Sequence, residues 1–275
     1  VSWYALRVTP DAARRDAVAQ WLVGVTGQPV TEQDDGAVIG ATSSQPSADE
    51  IAAGLQHQFG LPAEITALTD VDWTIRWRDG IRPRQCGRLM VVPSWLDATT
   101  DWSGPRVVLD PENAFGSGEH GSTRTALTLL ERHVRAGNLV LDLGSGSGIL
   151  AIAAVRLGAA RAIGIECDAD AVEVAERNAA SNGVTDSVHF LTGDAGALAP
   201  VAGPADVVLS NILRTVNVTL LPAIRTALAP DGLAIFAGME DDERPAFMAA
   251  LAEESFDTID EAHDAGWWGV AARVS

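Results

Sequence analysis

A chain of 275 residues, 47% of them hydrophobic and 13 of them proline, is long enough for one large domain and a small one, each with its own core. Its net charge of -18 works against non-specific binding to a phosphate backbone; it suits a basic partner, and equally a surplus of carboxylates that keeps the chain soluble. All its permanently basic residues are Arg, and the absence of Lys excludes a phosphate-binding P-loop and a pyridoxal Schiff base, each of which needs one.

The chain starts with an apolar and polar alternation from Trp3 to Val8, followed by a helical pattern with Ala13, Ala17, Trp21 and Leu22 on one side. Val1 to Arg7 lacks the basic start and apolar run of a signal peptide. Asp34-Asp35-Gly36 marks a turn before the apolar run 37–39, residues 47–59 read as a second helix, and 63–68 as a strand. A small α/β sandwich over 1–66 is expected. From 70 to 95, Trp73, Trp77, Arg76, Arg78, Arg82, Arg84 and Arg88 crowd together, and 67–96 reads as a linker. Such interleaving suits either stacking on single-stranded RNA or tryptophans anchoring the linker on a neighbouring domain.

From Asn138 the pattern predicts strands at 138–143, 161–166, 187–191, 206–211 and 232–237 with helices between them, which specifies a parallel sheet covered on both faces. Two further strand-like runs, 255–261 and 267–274, predict a hairpin at the sheet edge. Cys86 and Cys167 stand far apart, so neither a disulfide framework nor a thiolate metal site is implied, and a reducing compartment follows. The most apolar stretch, 149–165, is interrupted by Arg156 and Arg161. The expectation is a cytoplasmic protein that neither crosses a membrane nor holds a metal.

The chemistry concentrates in three strand ends. Val140-Leu141-Asp142-Leu143 runs into Gly144-Ser145-Gly146-Ser147-Gly148 and then a helix, a glycine turn that lets a ligand approach the backbone. A dinucleotide fingerprint would place its third glycine at position 149, which is Ile, so a different adenosine cofactor is favoured. Glu166 ends the next strand, where a carboxylate either accepts hydrogen bonds from ribose hydroxyls or caps the following helix. Asp194 repeats this one strand later, with the adenine amino group or a helix cap as its two readings.

These residues resemble the seven-stranded, Rossmann-like class of S-adenosylmethionine-dependent methyltransferases. Within it, Leu109-Asp110-Pro111, the run Ala114 to Thr123, Asn211-Ile212-Leu213, Asp72-Trp73, Trp77, Pro83 and the stretch Arg88 to Trp95 resemble the ribosomal protein methyltransferase A family. The resemblance implies a small ferredoxin-like α/β domain over 1–66 that recognises the substrate, a linker over 67–96 and a methyltransferase domain over 97–275. It implies transfer of methyl groups from S-adenosyl-L-methionine, leaving S-adenosyl-L-homocysteine, to amino groups of a basic protein, protein eleven of the large ribosomal subunit. It also places Thr123, Gly144, Glu166 and Asn211 against the cofactor, with Phe115 and Gly116 in a loop covering it; Gly146, Gly148 and Asp194 are expected to join them as parts of the glycine turn and the third strand end read above. Ser122 stands where the family usually has Thr, and Glu166 where it usually has Asp; both keep the hydrogen-bonding group.

In methyl transfer the enzyme chiefly aligns a lone pair with the methyl group and excludes water. Asn211 offers a carbonyl oxygen that could accept a hydrogen bond from the amine; His120 is the one histidine near the expected site, either a general base or a holder of local backbone geometry. Direct nucleic-acid binding is not expected, and a monomer is the default. Three alternatives remain at this point: a methyltransferase of the same fold acting on lysine of another protein, a non-catalytic cofactor-binding module, and a nicotinamide-dependent dehydrogenase that the glycine spacing disfavours.

Overall fold

A computed structural model describes residues 3–11, 14–26, 30–32, 36–68, 82–109 and 120–275. Phe115 and Gly116, together with Trp73, Arg76, Trp77 and Arg78, lie outside the described residues. The chain divides into two compact units, Val1–Ile81 and Arg82–Ser275.

In the first unit, β1 (Trp3–Val8) alternates so that Leu6 and Val8 turn inward, and α1 (Arg15–Thr26) covers them with Val18 and Leu22. β2 (Thr31–Glu32) and β3 (Val38–Thr42) follow. α2 (Gln45–Phe59) starts where the Ser44 hydroxyl accepts the Ser47 N–H at 3.3 Å and stops at Gly60, whose φ of 67° lets it donate back to Gln56. β4 (Glu64–Leu68) completes an antiparallel sheet of order β2-β3-β1-β4, the ferredoxin-like arrangement.

In the second unit, β5 (Arg84–Cys86) and β6 (Leu89–Pro93) pair with each other, and β6 pairs with β7 (Arg106–Leu109). Residues 84–86 and 89–93, inside the stretch read as a linker, are therefore sheet, with Leu89, Val91 and Val92 buried. The surrounding arginines hide that short apolar run, Leu89 to Pro93, from a reading by composition.

The larger sheet is built from β8 (Leu139–Leu143), β9 (Arg161–Glu166), β10 (Val188–Thr192), β11 (Ala205–Asn211), β12 (Leu228–Glu240), β13 (Phe256–Asp264) and β14 (Trp267–Val274), in the order β10-β9-β8-β11-β12-β14-β13. The first five run parallel, while β14 is antiparallel to both β12 and β13. The terminal hairpin thus forms as expected, closed by Ala265 and Gly266, both at positive φ. β12 starts before the expected 232 because Pro230-Asp231-Gly232 is absorbed into the strand beside a register shift rather than ending it.

Helices cover both faces. α3 (Gly121–His133), α4 (Ile149–Arg156) and α5 (Ala169–Ser181) pack Leu127, Leu130, Ile152 and Ala179 on one side. On the other, α6 (Ala195–Ala202), α7 (Arg214–Ala227) and α8 (Arg244–Glu253) bury Ala199, Leu221, Ile224 and Phe247. Burial on both faces explains the nearly unbroken apolar runs of β8 and β11. The chain leaves β8 in one direction toward β9 and β10, then returns to its other side as β11 and β12, so a crevice opens at the strands' carboxyl ends. No described helix is long and apolar enough to cross a membrane.

Candidate functional site

The crevice begins at the turn after β8. Gly144, Gly146 and Gly148 have φ of 69°, 50° and 77°, a region side chains adopt at a cost. The Gly144 N–H donates to the Ile165 carbonyl at 2.8 Å, tying the turn to β9. A Cβ on Gly144 would come within 2.7 Å of Ile212 Cγ2. Gly148 needs its glycine for a different reason: a Cβ there would lie 2.7 Å from Phe190 Cζ and 3.1 Å from Ala175 Cβ, and the residue does not line the crevice.

Glu166 braces this turn from the end of β9. Its Oε2 accepts the Gly146 N–H at 3.0 Å, and its Oε1 accepts the N–H groups of Cys167 at 2.8 Å and Asp168 at 3.1 Å. The cap of α5 is Asp168, which accepts the Asp170 N–H at 3.0 Å, so Glu166 is not that helix's cap. Asp194 does cap α6, accepting the Ala197 N–H at 2.9 Å, and it also faces the crevice. Beneath the turn, Asp142 is fully buried; its Oδ2 accepts the Ala151 N–H at 3.0 Å, and its Oδ1 has no partner. Burial first, then the nearby Glu166 charge, pushes its carboxyl up to about 7.

Gly144, Ser145, Gly146, Glu166, Cys167 and Asp194 enclose one side of a cavity of about 330 Å³, and Asn211, Ile212 and Val216 close the other. The same three residues also line a second, more apolar cavity of about 470 Å³, completed by His120, Ser122, Leu213, Gly238 and Trp267. Asn211, at the end of β11 and 9% exposed, therefore stands on the partition. Its Nδ2 donates to Thr123 Oγ1 at 3.5 Å, and its Oδ1 is buried without a partner among the described residues. Thr123 is fully buried behind Asn211 and lines neither cavity. Ser145 Oγ, lining the first cavity, is likewise buried with no partner among the described residues. Orphaned buried polar atoms cost stability unless a ligand or water completes them.

His120 lies at the start of α3. Its Nδ1 sits 2.7 Å from Ser122 Oγ, and its ring packs on Trp267 with centroids 4.2 Å apart. Burial, aided by the Arg124 guanidinium, holds the imidazole below its ordinary value. Among the described residues no group of three His, Cys, Asp or Glu side chains could hold a metal ion.

Sequence reasoning missed several residues here. Trp267 reaches the site only because β14 inserts beside β12. Asn217, fully buried, donates to the Ile212 and Ala237 carbonyls at 3.0 Å each and accepts from Ser210 Oγ at 2.6 Å, fixing the turn after Asn211. Gly238, at φ 86°, sits at a register shift in β12 against the backbone of Ile212. A lone glycine in a strand pattern was the available signal. A Cβ there would collide with the Ile212 carbonyl oxygen and approach its nitrogen to 2.7 Å. Gly238→Ala is expected to displace the partition, lowering turnover by about a hundredfold, the scale of a misplacement of about 1 Å. The same change should lower the melting temperature, and initial rates with thermal melting check both effects.

A family model described as Ribosomal protein L11 methyltransferase (PrmA) matches residues 25–274. The chain is 36% identical over 230 residues to the ribosomal protein L11 methyltransferase of Pelotomaculum thermopropionicum, covering 82% of this chain and 74% of that protein. It is 32% identical over 296 residues to the protein of that name from Escherichia coli, covering 98% and 99%. The solved structure of a ribosomal protein L11 methylase from Lactobacillus delbrueckii subsp. bulgaricus superposes with a TM-score of 0.63 at 32% identity, covering 70% of this chain and 99% of that one.

Proposed function

Because the chain belongs to the ribosomal protein L11 methyltransferase family, and is thereby an S-adenosylmethionine-dependent methyltransferase, we propose that it methylates amino groups of ribosomal protein L11 in the two adjoining cavities. The first cavity suits the cofactor by its donor set: a carboxylate at the sheet edge, a cradle that a Cβ would fill, and the buried unpartnered Ser145 Oγ. Glu166 would hold the ribose hydroxyls, Asp194 and Cys167 would flank the adenine, and the backbone of Gly144 and Gly146 would face the rest. When bound, the cofactor supplies a methyl group on a sulfonium.

The second cavity receives the acceptor side chain. Its walls, among them Leu213, Val216 and Trp267, take water away from an amine and so favour its neutral form. A Lys side chain, near pKa 10.4 in water, needs this more than an α-amino group near about 8. Asn211 Oδ1 accepts a hydrogen bond from the amine and aims its lone pair toward the first cavity, with Thr123 holding the carboxamide by its nitrogen. His120, with its Nδ1 against Ser122 and its ring packed on Trp267, serves as wall rather than base in this reading. The small unit is the substrate-recognition domain in this reading.

The unpartnered acceptor on the partition carries the proposal. Purified chain, methyl-labelled cofactor and ribosomal protein L11 test it directly. Label on L11, sited by mass spectrometry on lysine or the N-terminus, supports the reading. Label confined to another protein of a lysate would leave the methyltransferase and remove this substrate.

A further inference from the structure

The apolar cavity opens beside an unusual ridge of charge. Two residues after Gly238, β12 ends at Glu240, which pairs across the sheet with Trp267, so both strands leave the cavity wall at the same place. The chain then turns through Asp241, Asp242 and Glu243. That turn is fixed to the neighbouring hairpin, because the Asp241 N–H donates to the Gly266 carbonyl at 3.0 Å and Asp241 Oδ1 lies 2.7 Å from His263 Nδ1. On its other flank, Glu243 meets Arg214 at 3.1 Å, and Arg214 directly follows Leu213 of the cavity. Asp264, opposite Trp267 in the hairpin, adds a fifth carboxylate.

Among the described residues three guanidiniums answer these five carboxylates: Arg214 on Glu243 at 3.1 Å, Arg124 on Asp264 at 2.6 Å, and Arg84, whose charge also acts on Asp264. Arg244, next in sequence, is turned to Glu261 at 2.6 Å. Asp242 is exposed and makes no ion pair among the described residues. The ridge is therefore net negative, and it borders a shelf of exposed apolar surface, since Leu213 is 69% exposed and Val216 44%. Leu213 and Val216 also line the cavity in which the Asn211 acceptor waits, nine-tenths buried and unpartnered.

Long cationic side chains match such a surface, because their methylene stems cover apolar area while their charged heads stay near carboxylates. We propose that the ridge from Glu240 to Glu243, with the Leu213 and Val216 shelf, docks an extended Arg- and Lys-rich segment of the substrate flanking the acceptor amine. The inference rests on the proposed methyl transfer to a protein amine and adds to it where the substrate's neighbouring residues lie. It also gives the overall charge of -18 a local role, while the same ridge repels a nucleic-acid backbone.

The test reverses one exposed ridge charge, Asp242→Lys, beside Asp186→Lys, an equal charge change in the exposed turn before β10 at the sheet's opposite edge. KM for ribosomal protein L11 is measured at low salt and at 0.5 M salt, roughly where screening shortens the reach of charge to a few ångströms. The expected result is about a fivefold rise in KM for Asp242→Lys at low salt, shrinking at high salt, with Asp186→Lys unchanged; exposed charge pairs act on this scale. Equal KM values in all three proteins, or a rise that salt does not diminish, would overturn the docking ridge while leaving the methyltransferase reading intact. If wild-type protein does not turn over L11, fluorescence anisotropy of a labelled Arg-rich peptide bearing one Lys decides the ridge separately. Weakening by Asp242→Lys alone supports it, and indifference to the change refutes it.

Discussion

Replacing Asn211 with Ala is expected to lower turnover by about a hundredfold to a thousandfold, the cost of losing one preorganised polar group at a reacting centre. Affinity for S-adenosylhomocysteine should change by less than about fivefold, because the hydrogen bonds expected to hold the adenosine come from other residues. The asymmetry follows from position. Asn211 lines both cavities, and its Oδ1 is buried with no partner among the described residues. An Ala there leaves Thr123 and the backbone of β11 in place and removes the group proposed to orient the amine. Single-turnover rates and calorimetric affinities separate the two quantities, and unchanged turnover would remove Asn211 from the mechanism.

Glu166→Ala should do the reverse. The carboxylate organises three backbone N–H groups around the glycine turn, those of Gly146, Cys167 and Asp168, in addition to its expected bonds with ribose. Hydrogen bonds to a charged group contribute about 1.5–3 kcal/mol each, so losing two from the ribose weakens cofactor binding by roughly a hundredfold or more. Turnover at saturating cofactor should fall far less. Glu166→Asp keeps the charge one methylene shorter and should weaken binding by about tenfold to a hundredfold, since one charge-assisted bond is the most it need lose. Calorimetry on the three proteins checks the ranking. An Ala variant that binds the cofactor normally would return Glu166 to a purely structural part.

Much of this architecture was legible in the residues. Nearly unbroken apolar runs located β8, β9 and β11, because a strand buried on both faces has little polar alternation to obscure it. The glycine turn, Glu166, Asp194 and Asn211 gather at one sheet edge because parallel strands present their carboxyl ends together. Local pattern could not separate glycines that face a cavity from Gly148, which is a packing glycine against Phe190. Nor could it show that Thr123 stands behind Asn211, or that Trp267 and Gly238 form a cavity wall. Those facts depend on pairing between segments far apart in sequence. Asp142 shows the same limit from the other side: its place in an apolar run marks it as buried, but only the fold reveals the helix N–H that it accepts.

The account depends most on the turn and acid forming one adenosine site next to the Asn211 partition. Calorimetric titration of S-adenosylhomocysteine into the purified wild-type, Glu166→Ala and Asn211→Ala proteins examines that arrangement directly. Saturable binding at one site per chain is predicted, much weakened in the Glu166 variant and nearly intact in the Asn211 variant. Absence of binding heat at several temperatures in correctly folded wild-type protein, or equal loss in both variants, would contradict it.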